Sequence, residues 1–230
     1  MITLYQLASS PFSEKVRRAL NYKQVPFEIH EVERAAVPQG RYADVSASGK
    51  FPSIVIDGTA TQDSTDILIA LEAAHPAPGL YPQAPREAAL AHVIEDWADE
   101  SLYFYEITMR LSWEHNLEGA LDEFMVTMPG IPRDTLRTMV LEGAGALVKT
   151  QGLGRKAREV VVADVGRHFA ALDAMLDGRD WLAGTTLSAA DLAVTAQVSA
   201  LLYAAEARDL LAQYPRIAAW RARIDAIAPR

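Results

Sequence analysis

The sequence contains no cysteine, which excludes a disulfide framework, a thiolate nucleophile and any cysteine-bound metal. Thiol chemistry in this protein has to use a thiol brought in from outside. Positive charge is also scarce: 22 lysines and arginines face 30 aspartates and glutamates, for a formal net charge of −8. That balance supplies no broad cationic surface for a phosphate backbone or an anionic bilayer, and it argues against nucleic acid as a partner. Long hydrophobic runs are missing too. No stretch approaches the ~20 apolar residues that a membrane span needs, and the opening MITLYQLASS has no basic segment leading into an apolar one. The expected location is therefore the cytoplasm, with no membrane partner.

What is present is an ordinary globular composition, 50% apolar and 23% charged over 230 residues, enough to bury a core in one large domain or two small ones. The first part mixes periods. Ile2 to Leu7 reads as a strand, Pro11 to Lys23 as a helix and Pro26 to Val32 as a second strand, a β-α-β unit. The polar stretch from Glu33 to Lys50 lacks periodicity. FPSIVIDGTATQ then places two short extended runs around Asp57-Gly58, a dipeptide suited to a tight hairpin turn. Asp63-Ser64 opens a helical TDILIALEAA. Prolines concentrate in HPAPGLYPQAP, where few residues could continue a helix. Beyond it strand signals vanish, and the helices break near MPGIPR, QGLG, DGRD and AGTT. The expected fold is α+β: a β-α-β, β-β-α domain over 1–76, a linker over 77–85 and an all-helical domain over 86–230.

Three short motifs carry candidate chemistry. In ASSPFSEKVRRAL, Ser10 before Pro11 suits an N-cap with proline at the first helical position. Its hydroxyl could equally donate to a bound anion, helped by the positive end of the helix dipole. No Ser-His-Asp set can be assembled, so a serine hydrolase is disfavoured. In GKFPSIV, Pro52 is either a cis-proline or a plain strand-initiating proline; in the first case Phe51 has a backbone edge able to pair with an extended ligand. Asp63 and Ser64 suit the ammonium and carboxylate of an amino-acid headgroup, and also serve as simple helix caps. The run Lys15, Arg17, Arg18 reads as a solvated helix face that adds some positive field.

The ordered set SSPFSEKVRRAL, KFPSIVIDG, DS, proline-rich linker and all-helical domain resembles the cytosolic glutathione transferases along essentially the whole chain. In the tau, zeta, delta and omega classes the active residue lies six positions before a helix valine, here Val16, which selects Ser10 over Ser9. Omega enzymes carry cysteine at that position, so the resemblance favours serine chemistry. It implies a thioredoxin-like first domain, glutathione as co-substrate and no metal. Phe51 would pair through its backbone with the cysteinyl part beside a cis-Pro52, Lys50 would reach the glycyl carboxylate, and Asp63 and Ser64 would hold the γ-glutamyl end. The usual acid there is glutamate or glutamine, so Asp63 is a shorter departure. A second basic residue belongs in the loop before the cis-proline, where this chain offers Arg34 and Arg41.

In the second domain, Ser188 and Asp191 of LSAADLAV have capping-box spacing, with Leu187 and Leu192 placed to staple the start of a buried helix. A second substrate, a small apolar electrophile, is expected between the domains against Phe12, Tyr105, Met109 and Trp113. The last three recur every four residues and so share a helix face. The activity implied is transfer of glutathione to that electrophile, as in detoxification. A glutathione-dependent isomerase or lyase, and a non-catalytic binding or regulatory protein, are the alternatives. The resemblance also implies a homodimer.

Overall fold

Strand β1 (Ile2–Gln6) buries alternate residues, as a strand with one face on a core does. The computed structural model describes residues 1–230. Helix α1 (Pro11–Tyr22) crosses over and returns the chain as β2 (Glu28–Glu31), parallel to β1. Strands β3 (Ser53–Ile56) and β4 (Thr59–Gln62) form an antiparallel hairpin, and β3 runs antiparallel to β1 on its other side. The sheet order is β2-β1-β3-β4. Asp57 and Gly58 both take positive φ, 48° and 86°, as a two-residue hairpin turn requires. The 33–50 stretch holds one short 3-10 turn, Arg34–Ala36, and packs Ala36, Tyr42 and Val45 on Leu7, Val32 and Phe51 in a small apolar cluster. Helix α2 (Ser64–Ala74) completes a thioredoxin-like domain.

The proline-rich segment that follows is pinned. Buried Lys23 donates to Glu72 Oε2 at 2.7 Å and to the carbonyls of His75 and Pro78 at 2.6 and 2.8 Å. Helix α3 (Pro85–Trp97) then runs through a π-helical segment (Ala98–Leu102), α4 (Tyr103–Glu106) and a second π-helical segment (Ile107–Leu111). Five further long helices and one short one follow: α5 (Glu118–Thr127), α6 (Arg133–Gln151), α7 (Arg158–Met175), α8 (Ala189–Leu201), α9 (Ala205–Leu211) and α10 (Pro215–Ile227). The breaks read from MPGIPR, QGLG, DGRD and AGTT fall between these helices, with Arg133 and Gln151 as the terminal residues of α6. No helix is long and apolar enough to cross a membrane.

Every residue of α8 is buried, in keeping with its apolar circumference. Asp191 anchors its start. Its carboxylate accepts from the Ser188 N–H and hydroxyl, the Leu182 N–H and the Trp220 indole, each at 2.9 Å. One apolar core runs through both domains, from Leu4, Val16 and Leu20 to Leu192, Val198 and Trp220.

The cations of α1 correct the expectation of a solvated face: Lys15, Arg17 and Arg18 are all buried. For Lys15 and Arg18 the reason is the second domain, which supplies their partners, while Arg17 turns to its own domain. Arg17 reaches Gln6 Oε1 at 2.6 Å. Arg18 bridges Glu14 at 2.8 Å and the Ala228 carbonyl at 2.7 Å. Lys15 binds Glu95 at 2.6 Å and Asp99 at 2.7 Å on the α3 run, and donates to Ser64 and Thr65 of α2. Burial by itself would lower the Lys15 pKa, but Asp99 and Glu95 outweigh it and hold the ammonium charged.

Two stability predictions follow from these buried groups. Lys15→Met strands two buried carboxylates and is expected to cost about 3–5 kcal/mol, read as a lower urea midpoint; adding Glu95→Gln and Asp99→Asn should recover most of it. Asp191→Ala leaves several buried donors without an acceptor and should cost at least ~3 kcal/mol, while Asp191→Asn should cost less.

Candidate functional site

The carboxyl end of β1, the first turn of α1, the segment before β3 and the start of α2 meet the α3–α4 run across a cleft of about 1000 Å³. Ser10, Phe12, Lys50, Phe51, Pro52, Asp63 and Ser64 all line it. Seven residues scattered over the sequence are thus brought to one wall, because each lies at or beside the start of α1, β3 or α2, which come together in the first domain.

Ser10 occupies the N-cap position of α1, with extended backbone (φ −83°, ψ 128°) and proline next, yet its side chain makes no capping hydrogen bond. The hydroxyl is thus left for the cleft, beside the positive end of a 12-residue helix. The neighbouring serines are engaged otherwise. Ser13 is fully buried and its Oγ accepts the Leu7 N–H at 3.3 Å; the Ser9 carbonyl accepts from Arg110 at 3.1 Å.

The Phe51–Pro52 peptide bond is cis. The Phe51 ring is held edge-on by Tyr42, centroids 5.7 Å apart, while its own N–H and C=O have no partner within the protein. Buried polar backbone is nearly always paired, so this edge is open to an extended ligand. Lys50, next to it, is exposed and forms no ion pair. Asp63 caps α2 by accepting the Thr65 N–H at 2.9 Å, from a backbone at φ 74° that L residues seldom adopt. Ser64 is buried, and its Oγ accepts from Lys15 at 3.3 Å, which leaves its hydroxyl proton free to donate. Of the two basic residues in the preceding loop, Arg41 is exposed and paired with Glu33 at 2.7 Å, away from the cleft. Arg34 lines the cleft.

Tyr105, Met109 and Trp113 require a correction. Tyr105 and Met109 lie on the helical run, whereas Trp113 falls past its end at Leu111 with extended backbone; all three are buried and none lines the cleft. Tyr105 donates to Asp164 and meets His168 edge-on, and Trp113 lies beneath Arg158. The apolar residues that face the cleft from this run are Tyr103, Phe104, Ile107 and Leu111, with Phe124 of α5. Their spacing repeats the same four-residue step two positions earlier. Phe12 packs on Tyr103 with ring centroids 5.0 Å apart.

The helical wall is also charged, which sequence reasoning missed. Arg110, buried, binds Glu106 and Glu123 at 3.0 Å each and lies 4.0 Å over the Tyr203 ring. Burial pushes the Glu106 carboxyl up, and its Oε2 has no partner. Burial, then Glu106, push the Tyr103 hydroxyl up to about 12, so it stays protonated at neutral pH. The i, i+4 spacing of Glu106 and Arg110 was visible in the sequence as a helical ion pair, but its burial was not. No group of three or more metal-ligating side chains comes together anywhere in the chain.

Comparison with known proteins supplies the family. The profile of the glutathione S-transferase N-terminal domain matches residues 4–79, and that of the C-terminal domain matches residues 155–223. Glutathione S-transferase DHAR2 of Arabidopsis thaliana is 35% identical over 74 residues, 32% of this chain and 34% of its own. Probable maleylacetoacetate isomerase 1 of Drosophila melanogaster is 33% identical over 98 residues, 40% of each chain. The matches thus span well under half the length of these two relatives. FtsZ-localized protein A of Caulobacter vibrioides is 24% identical over 206 residues, 87% of this chain and 77% of its own. Among solved structures, a glutathione S-transferase from Rhodospirillum rubrum superposes with a TM-score of 0.68 at 21% identity, covering 98% of this chain and 88% of that one. The β-etherase LigF from Sphingobium superposes with a TM-score of 0.66 at 22% identity, covering 98% and 95%. With both domain profiles matched in order over most of its length, and with the sheet order and helical domain described above, the chain belongs to the glutathione S-transferase family.

Proposed function

We propose that this protein is a glutathione transferase in which Ser10 activates the thiol for attack on a small electrophile. The observation that carries the reading is the Ser10 hydroxyl, at the N-terminus of α1, lining the cleft and unused as a cap. A thiol of pKa ~8.5 is mostly protonated at neutral pH. A hydrogen bond donated by Ser10 Oγ to the sulfur and the field of α1 both favour the thiolate. The thiol proton goes to solvent; Ser10 keeps its own. The sulfur then bonds to the electrophilic carbon, and the leaving group departs with its electron pair. In this reading Phe51 pairs its open backbone edge with the cysteinyl unit, Asp63 takes the γ-glutamyl ammonium, Ser64 donates to the γ-glutamyl carboxylate, and Lys50 meets the glycyl carboxylate. The second substrate lies against Phe12, Tyr103, Phe104 and Phe124.

Two other readings have specific support. The match to a probable maleylacetoacetate isomerase favours glutathione as a nucleophile that is released at the end of each cycle. The long match to an FtsZ-localized protein favours binding without turnover. A homodimer in the cytoplasm belongs to the transferase reading, and sedimentation velocity checks the dimer.

The deciding experiment follows the ultraviolet thiolate absorbance of glutathione bound to wild type and to Ser10→Ala across pH. Wild type should titrate below free glutathione, and Ser10→Ala should return toward it with a roughly hundredfold loss of kcat. Binding with no shift in wild type would favour the non-turnover reading. Asp63→Ala is expected to weaken glutathione binding by roughly tenfold, as loss of one charged contact does, measured by calorimetry.

A further inference from the structure

The cleft contains a positive charge that its own residues leave unanswered. Three cationic side chains line it: Lys50, Arg34 and Arg110. Arg110 is tied to two glutamates, and Lys50 is exposed to water. Arg34 is half-buried and lacks an acidic partner. It forms no ion pair, its one polar contact is Ser9 Oγ at the limiting distance of 3.5 Å, and its Nε is buried without a partner. The nearby Glu31 carboxylate accepts from the Ala8 N–H at 2.7 Å and Gln6 Nε2 at 3.0 Å, and acts on Arg34 as a charge without touching it. Burial, and then the charge on Arg110, lower the Arg34 pKa from the usual arginine value. A guanidinium half-withdrawn from water with no carboxylate in direct contact is costly, and an anion from outside would relieve it.

The surroundings specify the kind of anion. The Arg34 guanidinium carbon lies 4.9 Å from the centre of the Phe124 ring. It sits between Ser9 and the helical wall, on the second-substrate side of Ser10, with Phe12, Tyr103 and Phe104 completing an aromatic rim. A planar fork of donors above an aromatic face matches a carboxylate borne on a flat ring. Of the other carboxylates lining the cleft, Glu95 and Asp99 are bound to Lys15 and Glu106 to Arg110, while Asp63, Asp96 and Glu100 form no ion pair with Arg34.

We propose that Arg34 is a specificity-determining residue that selects an aromatic electrophile bearing a carboxylate, gripping that carboxylate while the ring rests among Phe12, Tyr103 and Phe124. The proposal rests on the transferase reading above. With a chloroaryl carboxylate, the thiolate sulfur bonds to the ring carbon that carries chlorine, and chloride leaves with the electron pair of the broken bond. Arg34 stays charged throughout and transfers no proton.

The test compares chlorodinitrobenzoate with its neutral methyl ester as electrophiles for wild type, Arg34→Met and Arg34→Lys, after matching of their unfolding midpoints. In parallel, calorimetry measures binding of glutathione and of dinitrobenzoate, which has no leaving group. Arg34→Met should lower kcat/KM for the acid roughly ten- to hundredfold, leave the ester and glutathione binding unchanged, and weaken dinitrobenzoate binding; Arg34→Lys should restore part of the loss. Equal losses on acid and ester, or weakened glutathione binding, would overturn the proposal. If wild type turned over neither electrophile, the transferase reading would fail, and calorimetry would decide alone. Dinitrobenzoate binding that Arg34→Met weakens would sustain the anion subsite, and binding absent or unaffected would end it.

Discussion

A single ammonium group, that of Lys15, joins the parts on which the site depends. It is buried at the junction of α1, α2 and the α3 run, with two carboxylates from one domain and two hydroxyls from the other within reach. In so poorly solvated a setting, opposite charges hold one another strongly and an unpaired one is heavily penalised. The ion cluster therefore restricts how the helical domain can rest on the thioredoxin-like one. It also touches the Ser64 hydroxyl directly, so the floor of the cleft and the domain junction share one hydrogen-bonding network. The second junction, through Arg18, Glu14 and the Ala228 carbonyl, fixes the opposite side of α1. Between them the helix that presents Ser10 is clamped along its length.

Local chemistry made the first domain legible. Asp57-Gly58 announces its turn because few other pairs accept positive φ twice in succession, Pro11 marks a helix start by its fixed φ, and Asp63 marks another by capping it. The proline-rich segment announces its break because proline cannot continue a helix. What could not be read was which side of an element faces which neighbour. Lys15, Arg17 and Arg18 are cations on a helix, and charge alone suggested water; their partners are scattered, with carboxylates some 80 residues later, Glu95 and Asp99, making the burial of Lys15 tolerable, and Gln6, Glu14 and the Ala228 carbonyl serving the arginines. The stripe of Tyr105, Met109 and Trp113 illustrates the same limit. Periodicity put the three together, but Trp113 lies past the end of the helical run, and two faces of that run are apolar, one turned to the core and one to the cleft. The π-helical segments on either side of Tyr103–Glu106 further shift the angular register that a regular helix would keep.

The cleft that results has two unlike sides. Toward the sheet it offers hydroxyls, an open backbone edge and a helix cap, suited to an extended polar ligand. Toward the helices it is aromatic with buried charge, and there the arginines are in different states, Arg110 compensated and Arg34 not. An apolar pocket alone would discriminate mainly by size, whereas polar groups held in an apolar wall discriminate by chemistry, because a wrong partner leaves them unsatisfied.

The backbone of Asp63 carries a consequence for how such a chain can drift. At φ 74° a side chain is a burden, on the order of 1 kcal/mol, that glycine would not bear. Selection for folding alone would reward the loss of that side chain, since glycine is also an acceptable N-cap. The carboxylate therefore sits where random change tends to erase it, and lineages that no longer needed it would be expected to shed it early. A residue kept against the grain of its own backbone is a more sensitive recorder of use than one comfortable in its place.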